Sequence, residues 1–359
     1  MIRLVKPYIA FEDVEDEIRE IFSTGIFTKG AYSKLLPAKL SEYTGAQHAF
    51  LASSATTALT MCLNLLNIGP GDEVIVSDFS FPASANVVED LGATTVLADV
   101  SLETYNMLPG ELLARITPRT KAVIFVDALG NPSGLDEIAA LCKDQGIPLI
   151  EDAACAFGSS IDGRKIGSVS DLTCFSMHPR KLLTTGEGGA ITTNNDDYAS
   201  TLRIKLNHGA NEQGDYVTFG YNYRMPEIAC VMGCYQVEKI DVVIKERRQQ
   251  YAAYAEYLTP LGFVPQSEAE NAYSNRQSVV FTVPSGIQRD ALVAALKEKQ
   301  IETTLGTYSL STTTYYKNKY QEVLPNAHWL QKHTITLPCY QNLPLEEVCR
   351  AVEQAVHSL

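Results

Sequence analysis

A chain of 359 residues with 29 Lys and Arg against 42 Asp and Glu has a formal net charge of −13. That balance excludes a general affinity for nucleic acid, whose phosphates reward a basic surface. Its 45% hydrophobic and 20% charged content is that of a soluble globular protein, and the length predicts two domains, a large and a smaller one.

From about residue 45 to 195 the pattern alternates between apolar, β-rich runs and helical stretches. Strands are predicted at 72–77, 94–99, 121–128, 147–152, 172–176 and 189–194, with helices at 56–68, 83–91, 109–116 and 135–145. Strands spaced by helical crossovers predict a mainly parallel sheet covered on both faces. The turn Gly69-Pro70-Gly71-Asp72 stops one helix and launches a strand, and Asn131-Pro132-Ser133-Gly134 does the reverse, with Ser133 or Asp136 near the helix start. A long helix is expected from Met225 to about Leu258, its lower half amphipathic and able to bridge two domains. The tail reads as strand, helix, strand, loop and final helix, a small α+β domain. No apolar run of about 18 residues exists, so no membrane span is expected. The first 18 residues turn acidic and lack an apolar core, so a cytoplasmic location is the default.

The eight cysteines form no CxxC pair, and Cys230 and Cys234, one helical turn apart, read as small buried thiols. The six histidines form no HExxH or paired cluster, so no protein metal site is expected.

Four features carry chemistry. Lys181, in SMHPRKLLTTGEGGAI, lies in a small-residue loop between two buried strands, where enclosure would depress its pKa and make it a nucleophile. The alternative is a plain Gly-rich turn. Asp152 ends a strand and faces the ligand crevice of an α/β sheet, where it suits a ring nitrogen as well as it suits a helix cap or a metal. The run Ser53-Ser54-Ala55-Thr56-Thr57 precedes an apolar helix and offers hydroxyls and free N–H groups to a phosphate, or ordinary capping. Phe79 and Phe81 follow a strand and can stack on a flat ring or fill the core.

These strings, with GYNYRMPEIACVMG and the flanks LVKPYI and ITLPCY, together resemble the DegT/DnrJ/EryC1/StrS family, sugar aminotransferases of the aspartate-aminotransferase fold, fold type I. HPRKLLTTGEGG is most similar to the perosamine-synthase branch. The resemblance implies a large pyridoxal-phosphate (PLP) binding domain over 1–240, with an N-terminal arm and a mainly parallel mixed sheet between helices. A small C-terminal α+β domain over 241–359 would be joined to it by a long helix. It further implies that Lys181 is the Schiff-base lysine and proton shuttle, that Asp152 pairs with the pyridine nitrogen, and that Phe81 stacks on the ring. Ala55, Thr56 and Ser176 would hold the phosphate, joined by Asn222 of a neighbouring subunit, hence a homodimer with shared active sites.

Two positions depart from the family pattern. Cys155, a weak donor, stands where Gln or His often bonds the cofactor's 3′ oxygen, and Ala55 stands where Gly is common. The implied reaction is ping-pong transfer of an amino group from L-glutamate to a nucleotide-linked keto-deoxy sugar, at C4 on the perosamine likeness. His178 and Glu187 match positions near the substrate. Lys29, Lys34, Arg180, Arg224 and Lys205 are candidates for its pyrophosphate, and Tyr308 for the sugar pocket. Rival readings are a sugar dehydratase, which would carry His in place of Lys181, a non-catalytic PLP-binding regulator, and a nicotinamide dehydrogenase, for which no GxGxxG follows the first strand.

Overall fold

The apolar runs assemble into one seven-stranded sheet in the computed structural model, which describes residues 1–359. In chain order the strands of the N-terminal part are β1 (His48–Ala52), β2 (Glu73–Ser77), the short β3 (Phe79–Ser80), β4 (Thr94–Ala98), β5 (Thr120–Val126), β6 (Leu149–Asp152), the short β7 (Ser160–Ile161) and β8 (Arg164–Lys165), β9 (Leu172–Ser176) and β10 (Gly189–Thr193). The helices are α1 (Glu15–Thr24), α2 (Tyr32–Thr44), α3 (Ala55–Leu65), α4 (Ala83–Asp90), α5 (Pro109–Arg115), α6 (Leu135–Gln145), α7 (Asp196–Lys205) and α8 (Glu227–Leu258). The sheet runs β1-β10-β9-β6-β5-β2-β4. Strands β9, β6, β5, β2 and β4 are parallel neighbours, whereas β10 is antiparallel to both β9 and β1.

Side chains alternate across this sheet with the period of two that a strand imposes. Val74, Val76, Ile124, Ile150, Cys174 and Ile191 join the core under α3 and α4. Ile75, Val123, Phe125, Leu149, Phe175 and Ala190 join the core under α2, α6 and α8. Both faces are therefore covered, as the continuous apolar runs required. The sequence-based strands hold to within two residues at each end, and the helix at 135–145 is found at its expected bounds. Its cap differs: Gly134, at φ 86°, occupies the N-cap and no side chain caps the helix, so neither Ser133 nor Asp136 does. The antiparallel β10 is what makes this mainly parallel sheet mixed. It follows β9 through a helix-free loop, and without a crossover helix the chain can only turn back.

α8 is 32 residues long, a rod of about 48 Å. Its first half, including Cys230 and Cys234, packs in the large core, and Tyr254 and Leu258 pack in a second core. That second core lies under the sheet β11-β13-β16-β14, formed by Val264–Pro265, Val279–Thr282, Thr334–Leu337 and Thr304–Leu305, while the short β12 (Ala272–Tyr273) pairs with β7. The C-terminal helices are α9 (Arg289–Glu298), α10 (Thr314–Tyr320), α11 (Pro325–His333) and α12 (Leu345–Ser358), and β15 (Tyr308–Ser309) pairs with β3 of the large part. The first residues join the small sheet: Ile2 bridges Ile301, and Leu4 accepts a hydrogen bond from the Cys339 N–H. No helix is long and apolar enough to cross a membrane.

Arg247, on α8, ties that helix to the C-terminal part. It is 2% exposed and donates to the carbonyls of Arg276, Cys339 and Gln277 at 2.7–2.9 Å. Its planar fork serves three carbonyls at once, a geometry a lysine cannot copy. Arg247→Ala is expected to cost roughly 3 kcal/mol or more, because three buried carbonyls lose their donor. The check is a fall in the urea midpoint at unchanged slope, with Arg247→Lys recovering only part.

Candidate active site

The loop between β9 and β10 is closed on itself and held from outside. The Met177 N–H donates to Gly188 O at 2.8 Å, the Thr185 N–H to Met177 O at 3.0 Å and the Lys181 N–H to His178 O at 2.8 Å. Leu182 and Leu183 are buried and anchor it in the large core. Gln277, from the small unit, grips the backbone on both sides of Lys181. Its Oε1 accepts from the Leu182 N–H at 2.8 Å and its Nε2 donates to Arg180 O at 2.7 Å. The Lys181 side chain is half-buried, less enclosed than expected, and its Nζ lies 3.0 Å from Cys155 Sγ.

Asp152 ends β6 on the side of the sheet facing α4. Its Oδ2 accepts from Ser84 Oγ at 2.6 Å and its Oδ1 from the Ala154 N–H at 3.2 Å, while Ser80 Oγ lies 2.7 Å from Ser84 Oγ. Burial pushes this carboxyl above its ordinary range, opposed by the Ser84 and Ala154 donors and by the charge of Lys181. The acid and the amine thus share one electrostatic environment.

A third group lies across Gly189. This residue pairs with Ala52 on one side and Ser176 on the other, and a Cβ placed on it would sit 2.4 Å from Ser54 C and 2.7 Å from Ala55 N. Only glycine allows that approach. Ser54 caps α3 by accepting from the Thr57 N–H at 3.1 Å. The N–H groups of Ala55 and Thr56, in the open first turn, have no acceptor. Two free N–H groups at a helix start, with the Ser176 hydroxyl one strand away, form an anion cradle.

Phe79 is fully buried and belongs to the core, whereas Phe81 is 64% exposed at the rim. The Phe81 ring meets Tyr308 edge-on at 6.3 Å. Asp78 sets that meeting: its carboxylate accepts from the Ser311 N–H at 2.6 Å and from the Ser309 and Ser311 hydroxyls at 2.9 and 2.8 Å. Burial pushes the Asp78 pKa up to about 6, against the pull of these donors.

Lys29 and Arg224 flank the start of α8. Glu227, 1% exposed, accepts from the N–H groups of Gly30, Tyr32 and Ser33 at 2.8–3.0 Å and so pins the Lys29 loop there. Gly188, next to Glu187, abuts Met225. His178 is held below its ordinary pKa by burial, with the Glu187 charge opposing, and its Nδ1 accepts from the Arg180 N–H at 3.2 Å. Asn222 is exposed beside this region, and Lys34 and Arg180 are exposed. Lys205 does not belong to the group: it is buried, with its Nζ 4.1 Å from the centre of the Phe219 ring.

The structure thus brings Lys181, Cys155 and Asp152 together, with the cradle of Ala55, Thr56 and Ser176 alongside. Sequence reasoning missed Gln277, Asp78 and Glu227. Each is a buried polar residue whose partners lie 95 or more positions away in sequence. The only available signal was a polar side chain beside an apolar run, as Gln277 stands before the β13 strand.

The sequence profile of the DegT/DnrJ/EryC1/StrS aminotransferase family matches residues 9–356. Among solved structures, the aminotransferase TlmJ from Streptoalloteichus hindustanus is 28% identical, with 100% of this chain and 99% of that one covered at a TM-score of 0.94. Spr1654 from Streptococcus pneumoniae, a proposed sugar aminotransferase in its PMP form, is 28% identical over 100% of both chains at a TM-score of 0.92. Helicobacter pylori PseC, an aminotransferase of pseudoaminic acid biosynthesis, is 24% identical over 100% of both chains at 0.93, a likeness of fold.

Gly189→Ala should destabilise the protein by about 1–3 kcal/mol, since backbone must move to admit the methyl group; thermal unfolding measures it. Gln277→Ala should leave two backbone groups beside Lys181 unpaired, at roughly 1–3 kcal/mol. Faster hydrogen exchange at the Leu182 amide is the specific sign.

Proposed function

The chain belongs to the DegT/DnrJ/EryC1/StrS aminotransferase family, and on that premise we propose that it moves an amino group from L-glutamate to a nucleotide-linked keto-deoxy sugar, at C4. The family uses PLP, and the Spr1654 structures include both PLP and PMP forms. The residues present fit that group: an anion cradle, a buried carboxyl and an amine that acts on it through its charge. Bound PLP supplies an electron sink and a carrier for the amino group.

Each residue has a distinct part in this reading. Lys181 Nζ would hold the cofactor, and the same amine would take and return the proton moved in each half of the reaction. Asp152 would keep the ring nitrogen protonated, and the Ser84 hydroxyl at 2.6 Å fixes the carboxylate's direction. Ala55 and Thr56 offer N–H groups, and Ser176 its hydroxyl, to the phosphate. Asn222, exposed in this chain, reaches the same phosphate in a second copy, which makes the working unit a homodimer. Phe81 covers one ring face, with Tyr308 edge-on beside it. Cys155 stands 3.0 Å from the Lys181 amine and orients it as a weak partner.

On the substrate side, Lys29 and Arg224 at the start of α8 supply local positive charge for a pyrophosphate within a protein of net charge −13. His178 and Glu187 face the sugar. The observation that carries the proposal is the Lys181 amine facing a buried Asp152 across from two unpaired helix N–H groups. A lysine at that position also disfavours the dehydratase alternative.

Borohydride reduction of the holoprotein should fix the cofactor on the peptide containing Lys181, read by mass spectrometry. A tag elsewhere, or none, overturns the assignment. Glutamate should bleach the bound cofactor, and nucleotide-linked 4-keto sugars should restore it in preference to 3-keto or free sugars. Lys181→Ala should lose turnover by a factor on the order of 1,000 or more.

A further inference from the structure

Two carboxyls lie buried behind the site and take no part in the contacts above. Asp127 follows β5, and Glu151 precedes Asp152 in β6; both are 0% exposed. Both oxygens of Asp127 and Oε1 of Glu151 have no donor. Glu151 Oε2 accepts from Thr173 Oγ1 at 2.8 Å. The Asp127 N–H donates to Asp152 O at 3.2 Å, so the pair is tied by backbone to the residue at the site.

The groups facing Asp127 are Glu151, Asp152 and Cys155. Those facing Glu151 are Asp127, Asp152, Ser170 and Thr173. None is a cation. Two ionised carboxylates in contact, out of water and without a counter-charge, repel each other and lose their hydration. A carboxylate is an acceptor only, so no hydrogen bond joins the two until one carries a proton. A proton on Asp127 supplies the missing donor. Burial raises the Glu151 carboxyl, and with a proton on Asp127 it receives two donors, Asp127 and Thr173, that oppose this and favour its ionised form. Burial and the neighbouring Glu151 charge both push the Asp127 carboxyl far up, consistent with Asp127 as the proton holder.

We propose that Asp127 and Glu151 form a proton-sharing carboxyl pair holding one fixed negative charge behind Asp152, and that this charge keeps the cofactor's ring nitrogen protonated. The second half rests on the reading of Asp152 as partner of that nitrogen. Both are positioning residues that act through Asp152.

Amide substitutions test the charge count on the holoprotein. Asp127→Asn copies the protonated partner and leaves Glu151 charged; Glu151→Gln leaves the charge on Asp127. Either single variant should keep the fold and the pH titration of the bound cofactor's absorbance. The double variant is neutral, and its spectral midpoint should fall by about one pH unit, with kcat reduced about tenfold at little change in KM. A double variant that titrates like the parent overturns the fixed charge. Single variants that already show the full spectral change overturn the shared proton.

Thermal unfolding against pH tests the pair independently of Asp152. The folded protein keeps a proton on Asp127 that the unfolded chain releases above its ordinary pKa of about 4. Stability from this group is therefore lost as pH rises toward the raised folded value. The unfolding midpoint of Asp127→Asn relative to the parent should shift in the variant's favour from about pH 5 to pH 8. A difference that stays flat with pH overturns the shared proton even if the borohydride tag lies on Lys181. A pH-dependent difference supports it even if that tag lies elsewhere.

Discussion

The backbone contact at Gly189 is the constraint on which the site depends. There β10 enters between β1 and β9, and its first residue lies against Ser54 and Ala55 with no room for a side chain. That approach sets the start of α3, with its open N–H groups, beside the end of β9, with Ser176. It also fixes where the Lys181 loop must begin and end, since Met177 and Gly188 close the loop by a hydrogen bond. A shift of β10 would separate the cradle from the amine.

The second constraint is electrostatic. This acidic protein buries Asp78, Asp127, Glu151 and Asp152 around the C-terminal ends of its parallel strands. Three of them are held by hydroxyls and N–H groups: Ser84 and Ala154 at Asp152, Thr173 at Glu151, and Ser309 and Ser311 at Asp78. The crevice thereby favours a bound group that brings positive charge of its own. At the cradle the polarity reverses, because the start of α3 presents N–H groups and a positive dipole end. One end of the crevice suits a cationic ring and the other a phosphate.

Several features could be read before the fold was known, for identifiable reasons. The strand ending at Asp152 and the hydroxyl run before α3 announced themselves because a local pattern fixes a strand end or a helix start. Lys181 stood out because a lysine among small residues between two apolar runs has few ordinary uses. The antiparallel direction of β10 was not legible, since periodicity reports which face is buried and not which way the chain runs. Gln277 was equally hidden. Its part is to hold Arg180 and Leu182, far away in sequence, and a lone polar residue before a strand carries no sign of that. Lys205 misled in the other direction: its charge suggested a ligand contact, but tertiary packing buries it against Phe219.

The sequence by itself determined the alternation of strands and helices, the amine in a loop and the acid at a strand end, and the family to which such a pattern belongs. Those properties are written in local patterns and in the order of motifs. The tertiary structure alone decided how near these groups come to one another. It sets Cys155 3.0 Å from Lys181, aligns Ser176 with the start of α3 and places Asp127 against Glu151. Distances of this kind depend on sheet register and on close contacts between segments remote in the chain, which no local pattern encodes.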